Sequence, residues 1–285
     1  MRCLSATLNT MQTLLSKAIV SQINSATKQY VTEGVEPHLA VVLIGEDIQS
    51  LRYVELKTQR AKELGILLSI YHLAISTPYS EIEQSLRFLA DDPEVHGIIL
   101  QLPLPATISV EQTEQLFCLI PLGKDVDGLR GEWTPLHSSP RTITELLDYQ
   151  GTPLPPMVCG VLSLLDAYSI SMIDQQIVII GAGRLVGQPL ERYFKHLGLQ
   201  VTLVTEETDH ILDITRQADI LITGTGQPNL VTYQWVKEGV VVINCSGDIH
   251  EDSVSQVASA MAPSLGSIGP LTVAWLLHNV ARRAQ

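Results

Sequence analysis

The sequence predicts an α/β protein of two domains, and three observations carry the prediction. Strand and helix patterns alternate along the chain, they do so in two separate sets, and the strands are unbroken apolar runs of the kind parallel sheets bury on both faces. In the first set, residues 39–45 (LAVVLIG) read as a buried strand and 50–64 as a helix. A strand at 67–73, a helix at 80–90 and a strand at 97–102 (GIILQL), closed by Pro103 and Pro105, complete it. This βαβαβ order demands crossover helices and hence parallel pairing. Proline-rich connections over 134–156 precede the second set, whose strands are predicted at 177–180, 200–205, 219–223 and 240–245. Over 270–283, Val273, Leu276, Leu277 and Val280 share one helical face. The reading divides the chain into a domain of residues 1–148, completed by the closing helix 269–285, and a second domain of residues 149–268, with a cleft between them.

Composition limits what these domains can do. A chain of 285 residues that is 45% hydrophobic can bury full cores, and its length suits two domains better than one. The formal net charge of -12 argues against nucleic acid, which needs a basic stripe. Cys3, Cys118, Cys159 and Cys245 are scattered without CxxC or Cys/His zinc spacing, so they are expected to be reduced, buried thiols, with no metal. No apolar run approaches the ~18 residues of a membrane span. Residues 1–32 lack Asp and Glu and are rich in Ser and Thr, as transit peptides are, but Arg2 is their one arginine. Leu14, Leu15, Ile19, Val20 and Ile23 instead fit an amphipathic first helix, and the expected location is the cytoplasm.

The strand at 177–180 stops at a glycine turn, Gly181-Ala182-Gly183-Arg184-Leu185-Val186-Gly187. Glycines at the first two positions allow a tight turn and close approach of a phosphate, and the third lets the following helix pack against the strand. That helix would aim its N-terminus at the anion. A strand in front and a helical pattern behind favour a Rossmann-like dinucleotide site over an ordinary strand-to-helix turn.

Polar residues mark the first domain. Tyr53 and Lys57, four apart on a predicted helix, project from one face, as a merely solvated pair also would. Gln101 ends an otherwise apolar strand, where open α/β sheets bind ligands. Lys124-Asp125-Val126-Asp127-Gly128 could be a polar turn. Taken in order, S-L-R-Y-V-E-L-K, G-I-I-L-Q-L-P-L-P, K-D-V-D-G, G-A-G-R-L-V-G-Q-P, A-D-I-L-I-T-G-T-G-Q-P and G-P-L-T-V-A-W-L-L-H-N resemble the bifunctional methylenetetrahydrofolate dehydrogenase/methenyltetrahydrofolate cyclohydrolase family over about Leu39 to Val280.

The resemblance implies that 5,10-methylenetetrahydrofolate is oxidised by NAD or NADP to the methenyl cation, which water then opens to 10-formyltetrahydrofolate. It implies that Lys57 is the catalytic lysine, Tyr53 packs by the folate and shares its hydrogen bonds, Gln101 contacts and tunes Lys57, Asp127 holds the pterin, and Pro270 is a further substrate-binding residue. Gly181, Ala182, Gly183, Gly187, Gly224 and Cys245 would border the dinucleotide. A homodimer is implied as well. A lysine desolvated beside a cation can fall towards a pKa of ~7 to 8 and work as base and then acid.

Departures from the family pattern concentrate in the cofactor half. Pro155-Pro156-Met157-Val158-Cys159-Gly160 lacks the usual P-C-T-P-x-G hydroxyl, Pro263 to Thr272 alters two loop positions, and Asn244-Cys245-Ser246-Gly247 replaces a D-V-G-I or C-G-I turn. Gly183 stands for Ser, and Ala182 often for Arg. Three functions therefore need separating: the bifunctional enzyme, a cyclohydrolase with a decayed dinucleotide site, and a non-catalytic folate binder. Glu206, 25 residues beyond Gly181, lies near the ~20 expected of the carboxylate that binds a ribose 2′-hydroxyl. NADP-using relatives have small or basic residues there. A 2′-phosphate about 4 Å from a carboxylate meets ~4 kcal/mol of repulsion at an effective dielectric near 20, so NAD is the expected cofactor.

Overall fold

The computed structural model describes residues 11–31, 36–131 and 139–285. Cys3 and parts of the N-terminal and 134–156 readings lie outside the described residues. The chain divides into two compact units, one of Met1–Lys17 and Leu164–Gly269, the other of Ala18–Ser163 and Pro270–Gln285.

At the N-terminus the predicted helix is corrected. Gln12–Thr13 form β1, and α1 runs over Lys17–Val31, so Leu14 and Leu15 precede it; Ile19 and Ile23 are its buried apolar positions. β1 pairs in parallel with β9 (Ala260–Ala262), which draws the start of the chain into the unit of the glycine turn. The three dividing lines between the compact units, after Lys17, Ser163 and Gly269, all fall inside helices.

The second of these units is built on β2 (His38–Ile44), α2 (Ile48–Leu64), β3 (Leu67–Leu73), α3 (Tyr79–Asp91), β4 (Gly97–Leu100) and α4 (Val110–Leu119). Its parallel sheet has the order β3-β2-β4. Period-two alternation sorts the sheet's side chains between two cores. Leu39, Val41 and Ile99 pack with Val54, Ala61 and Leu64 of α2 and with Val273, Leu276 and Val280, while Ala40, Val42, Ile98 and Leu100 pack with Ile82, Leu86, Leu116 and Phe117. A fully buried Leu or Ile in either contributes roughly 1.5 to 3 kcal/mol. Asp47 caps α2, its carboxylate accepting from Ser50 N at 2.7 Å, so the helix starts two residues before the predicted position. Gly65, left-handed at φ 75°, ends it.

Beyond α5 (Ile143–Leu147) and α6 (Pro156–Ala167), the other unit carries β5 (Ile177–Ile180), α7 (Gly187–His196), β6 (Val201–Val204), α8 (Ile211–Thr215), β7 (Ile220–Thr223), β8 (Val241–Asn244), α9 (Glu251–Val254) and β9. Its sheet is parallel throughout, ordered β1-β9-β8-β7-β5-β6. Val178, Ile180, Leu221 and Val242 face one core with Val204, Val231 and Val254. The chain closes in α10 (Ile268–Arg283). Among the described residues no helix is long and apolar enough to cross a membrane.

Candidate active site

In the unit of the three-stranded sheet, Lys57 stands on α2 and is half-buried. Its Nζ donates to Gln101 Oε1 at 3.0 Å. Gln101 lies one residue beyond β4, which ends at Leu100 rather than at the predicted 102; its own N–H still donates to Val42 O at 2.9 Å, holding it in line with the sheet. Gln101 Nε2 donates to Leu102 O at 2.8 Å, so the amide can present only its oxygen to the lysine. Burial of the head group pulls the Lys57 pKa down, and the carboxylate of Asp127 opposes the shift. Asp127 is moved up by its own burial and pulled back by Lys57. The pair is a desolvated base and a desolvated acid, each opposing the shift that burial gives the other.

The K-D-V-D-G run has three separate fates. Lys124 Nζ donates to Ala90 O at 2.8 Å and Asp92 O at 2.6 Å, closing the C-terminus of α3. Asp125, buried, accepts from Leu129 N at 3.2 Å and Arg130 N at 2.9 Å, and desolvation pushes its carboxyl up to about 6. Asp127 alone faces Lys57 electrostatically. Asn279 on α10, which the sequence reading passed over, donates to Val126 O at 2.9 Å and Leu154 O at 3.0 Å and so anchors the backbone beside Asp127. Tyr53, one turn before Lys57, is 55% exposed, and Pro270 is exposed in the first turn of α10, where its missing N–H costs no helical bond. An apolar groove lined by Ile48, Leu51, Val54 and Ile70 follows another stripe of α2 and includes neither Tyr53 nor Lys57.

The glycine turn in the other unit is enforced by space. A Cβ on Gly187 would stand 1.8 Å from Gly181 O, and one on Gly224 would stand 2.4 Å from Val186 Cγ1. Gly181 itself has φ 97°. By contrast, a Cβ on Gly183 would meet only Gly224 O at 3.8 Å, so the Ser-to-Gly departure removes a hydroxyl without changing the shape. α7 begins with no side-chain cap at Val186; Gln188 N donates to Gly183 O at 3.1 Å and Pro189 has no N–H, so the Gly187 N–H is the group its first turn offers an anion. These features fit the phosphates of a dinucleotide. Ala182 is half-buried within the turn. Glu206 is exposed, in the turn that follows β6, whose Val204 O accepts from Gly181 N at 2.9 Å. Cys245 follows β8 and is partly exposed; burial raises its thiol pKa, and Cys159, fully buried, is pushed up to about 12. Cys118 is exposed, which corrects the expectation that all the thiols are buried.

Comparison with known proteins agrees with both halves. The tetrahydrofolate dehydrogenase/cyclohydrolase catalytic domain matches residues 12–127, and the NAD(P)-binding domain of the same family matches residues 155–285. Bifunctional protein FolD of Geobacillus thermodenitrificans is 34% identical, the alignment covering 96% of this chain and 95% of the relative. The crystal structure of bifunctional FolD from Campylobacter jejuni superposes with a TM-score of 0.82 at 33% identity, over 96% of this chain and 98% of that one. FolD of Trypanosoma brucei, solved with NADP and an inhibitor, has a TM-score of 0.82 at 25% identity, over 96% and 97%. The chain belongs to the tetrahydrofolate dehydrogenase/cyclohydrolase family.

Proposed function

We infer that the chain is a bifunctional one-carbon folate enzyme, oxidising 5,10-methylenetetrahydrofolate with a nicotinamide dinucleotide and hydrolysing the product to 10-formyltetrahydrofolate. The observation that carries the reading is the desolvated Lys57 amine held 3.0 Å from Gln101 Oε1 in a chain matched by both family domains. When bound, the dinucleotide supplies the hydride acceptor, and Gly181, Ala182, Gly183, Gly187 and Gly224, with Cys245 beside them, are the residues to hold it. Everything else falls to the chain's own side chains. With its pKa lowered, Lys57 takes a proton from the water that adds to the methenyl carbon and returns it to the departing ring nitrogen; the bond from that nitrogen to the carbon breaks, and the carbinol hydroxyl loses its proton to solvent as the formyl C=O forms. Gln101 fixes the direction of Nζ. Asp127 accepts from the donor edge of the pterin, Tyr53 packs on the folate, and Pro270 borders it.

The preferred dinucleotide is NAD. Supporting this are Glu206, two residues past the carbonyl that pins β6 to the glycine turn, and the alanine at 182 in place of the arginine common in NADP-using relatives. The reading carries with it a homodimer resident in the cytoplasm, which gel filtration and fractionation would test. The central experiment is a spectroscopic assay of methenyltetrahydrofolate hydrolysis beside methylenetetrahydrofolate oxidation with NAD and with NADP. Both activities are expected, and hydrolysis without oxidation would return the chain to the cyclohydrolase-only alternative.

A further inference from the structure

We propose that Asp248 is a positioning residue for the dinucleotide: its buried carboxylate gathers the loops that follow β7 and β8 into one clasp, and the clasp sets affinity for the cofactor. The proposal rests on the dinucleotide reading above. Asp248 is 0% exposed, and a carboxylate removed from water persists only where donors replace the water. Its donors come from both loops. Oδ2 accepts from Thr225 N at 2.9 Å and from Ser246 Oγ at 2.8 Å, and Oδ1 accepts from Gln227 N at 3.0 Å. Ser246 Oγ in turn accepts from Gly226 N at 3.2 Å. Three consecutive backbone N–H groups after β7 are thereby committed to one carboxylate and the hydroxyl it orients, through bonds that charge makes strong.

The clasp extends to a third loop. Asn244 Oδ1 accepts from Gly247 N at 2.9 Å and Asp248 N at 3.0 Å, and Asn244 Nδ2 donates to Glu251 Oε1 at 3.2 Å. That same oxygen accepts from Ser264 N at 2.7 Å, in the loop after β9. Asn244 and Ser246 are two of the positions where the chain departs from its family, so the altered turn is a closed hydrogen-bonded unit rather than a decayed one. Its shape reaches the glycine turn by direct packing. A Cβ on Gly181 would meet Gly224 O at 2.9 Å and Thr225 Cγ2 at 3.0 Å, so the loop after β7 lies against the turn in the space that the missing side chain leaves. Lys57, Gln101 and Asp127 take no part in these bonds.

A loop already in its binding shape spares the ligand the cost of ordering it. In the full-length protein, Asp248→Ala is therefore expected to raise the Kd for NAD and NADP, measured by calorimetry, and the cofactor KM by about tenfold or more. The oxidation kcat at saturating cofactor should hold within about threefold, and hydrolysis measured without dinucleotide within about twofold, because the lysine's surroundings are untouched. Asp248→Asn, which keeps one acceptor oxygen, should recover part of the affinity. An unchanged Kd in folded Asp248→Ala overturns the proposal, as does a parallel fall of hydrolysis with affinity. Should Asp248→Ala fail to fold, Ser246→Ala removes one bridging hydroxyl: a Kd raised by about two- to fivefold supports the clasp, and no change overturns it. A wild-type protein that binds neither dinucleotide sinks the functional reading and the proposal together, whereas wild-type binding with unaffected variants sinks the proposal alone.

Discussion

Around Lys57, the proposed site is made by side chains that converge from separate elements, with Gln101 just past β4, Asp127 in a loop tied down by Asn279, and the lysine on a capped helix. At Gly181 to Gly187 it is made by leaving side chains out, so that backbone groups and a helix terminus can meet an anion. The difference decides how each half should fail. Substitution at the first changes protonation and leaves the backbone in place; substitution at the second fills a space that the backbone already uses.

The most damaging change to the cofactor half is therefore the smallest side chain. In Gly187→Ala the new Cβ, 1.8 Å from Gly181 O, cannot be accommodated by a rotamer change, so the strand-turn-helix joint must move. A loss of about 4 kcal/mol in local stability is expected, which lowers dinucleotide-dependent oxidation by ~10³. Hydrolysis assayed without dinucleotide should be largely kept if the halves fail separately. Equal loss of both activities would break the contrast.

At the other half, Lys57→Met keeps the aliphatic stem and removes the titratable amine. Folate binding should survive in equilibrium dialysis while hydrolysis falls by on the order of 10² or more. Retained hydrolysis would remove Lys57 from the mechanism.

Gln101→Ala sharpens the same comparison with a smaller effect. The amide oxygen stabilises the ammonium through a 3.0 Å bond, and its removal leaves desolvation, the larger influence, less opposed. The Lys57 pKa should fall further. Because hydrolysis needs the neutral amine as base, the rising limb of its pH profile should move to lower pH. A uniform loss at every pH would assign Gln101 to substrate positioning instead.

These sites were unequally legible in the sequence. The long strands and α2 announced themselves through apolar runs and periodicity, Gln101 through a polar residue ending an apolar strand, and Tyr53 and Lys57 only through the motif that carries the family resemblance. β1 and β9 did not, because Gln12–Thr13 and Ala260–Ala262 are too short to show a period and meet only through pairing across most of the chain. K-D-V-D-G was visible as a motif, yet which acid faced the lysine depended on the carbonyls and N–H groups that engaged Lys124 and Asp125. Asp248 was invisible for a similar reason. Its acceptors serve N–H groups 21 and 23 residues away, and nothing local distinguishes it from a surface aspartate. Space-filling constraints such as Gly187 were readable as glycine, but not the distance that enforces them.

The least legible property, cofactor choice, gives the smallest expected effect and depends on one exposed side chain. Val204 O accepts from Gly181 N at 2.9 Å, which fixes the end of β6 beside the phosphate turn. Thr205 N donates to Thr208 Oγ1 at 2.9 Å, and Thr208 N to Thr205 O at 3.0 Å, so a defined turn carries Glu206 rather than a free chain. Position therefore favours a carboxylate at the ribose. Exposure tempers it, since water and salt screen an exposed charge far more than the close-contact figure allows. Glu206→Ser is accordingly expected to narrow the NAD preference, read as the ratio of kcat/KM for NAD to that for NADP, by roughly fivefold, the size that an exposed charge pair supports. The change should shrink as salt is raised from about 20 mM to about 500 mM, because screening weakens the wild-type repulsion that the substitution removes. A salt-independent change would point to a hydrogen bond with the ribose hydroxyl as its origin, and a wild-type preference for NADP would show that Glu206 does not set the choice.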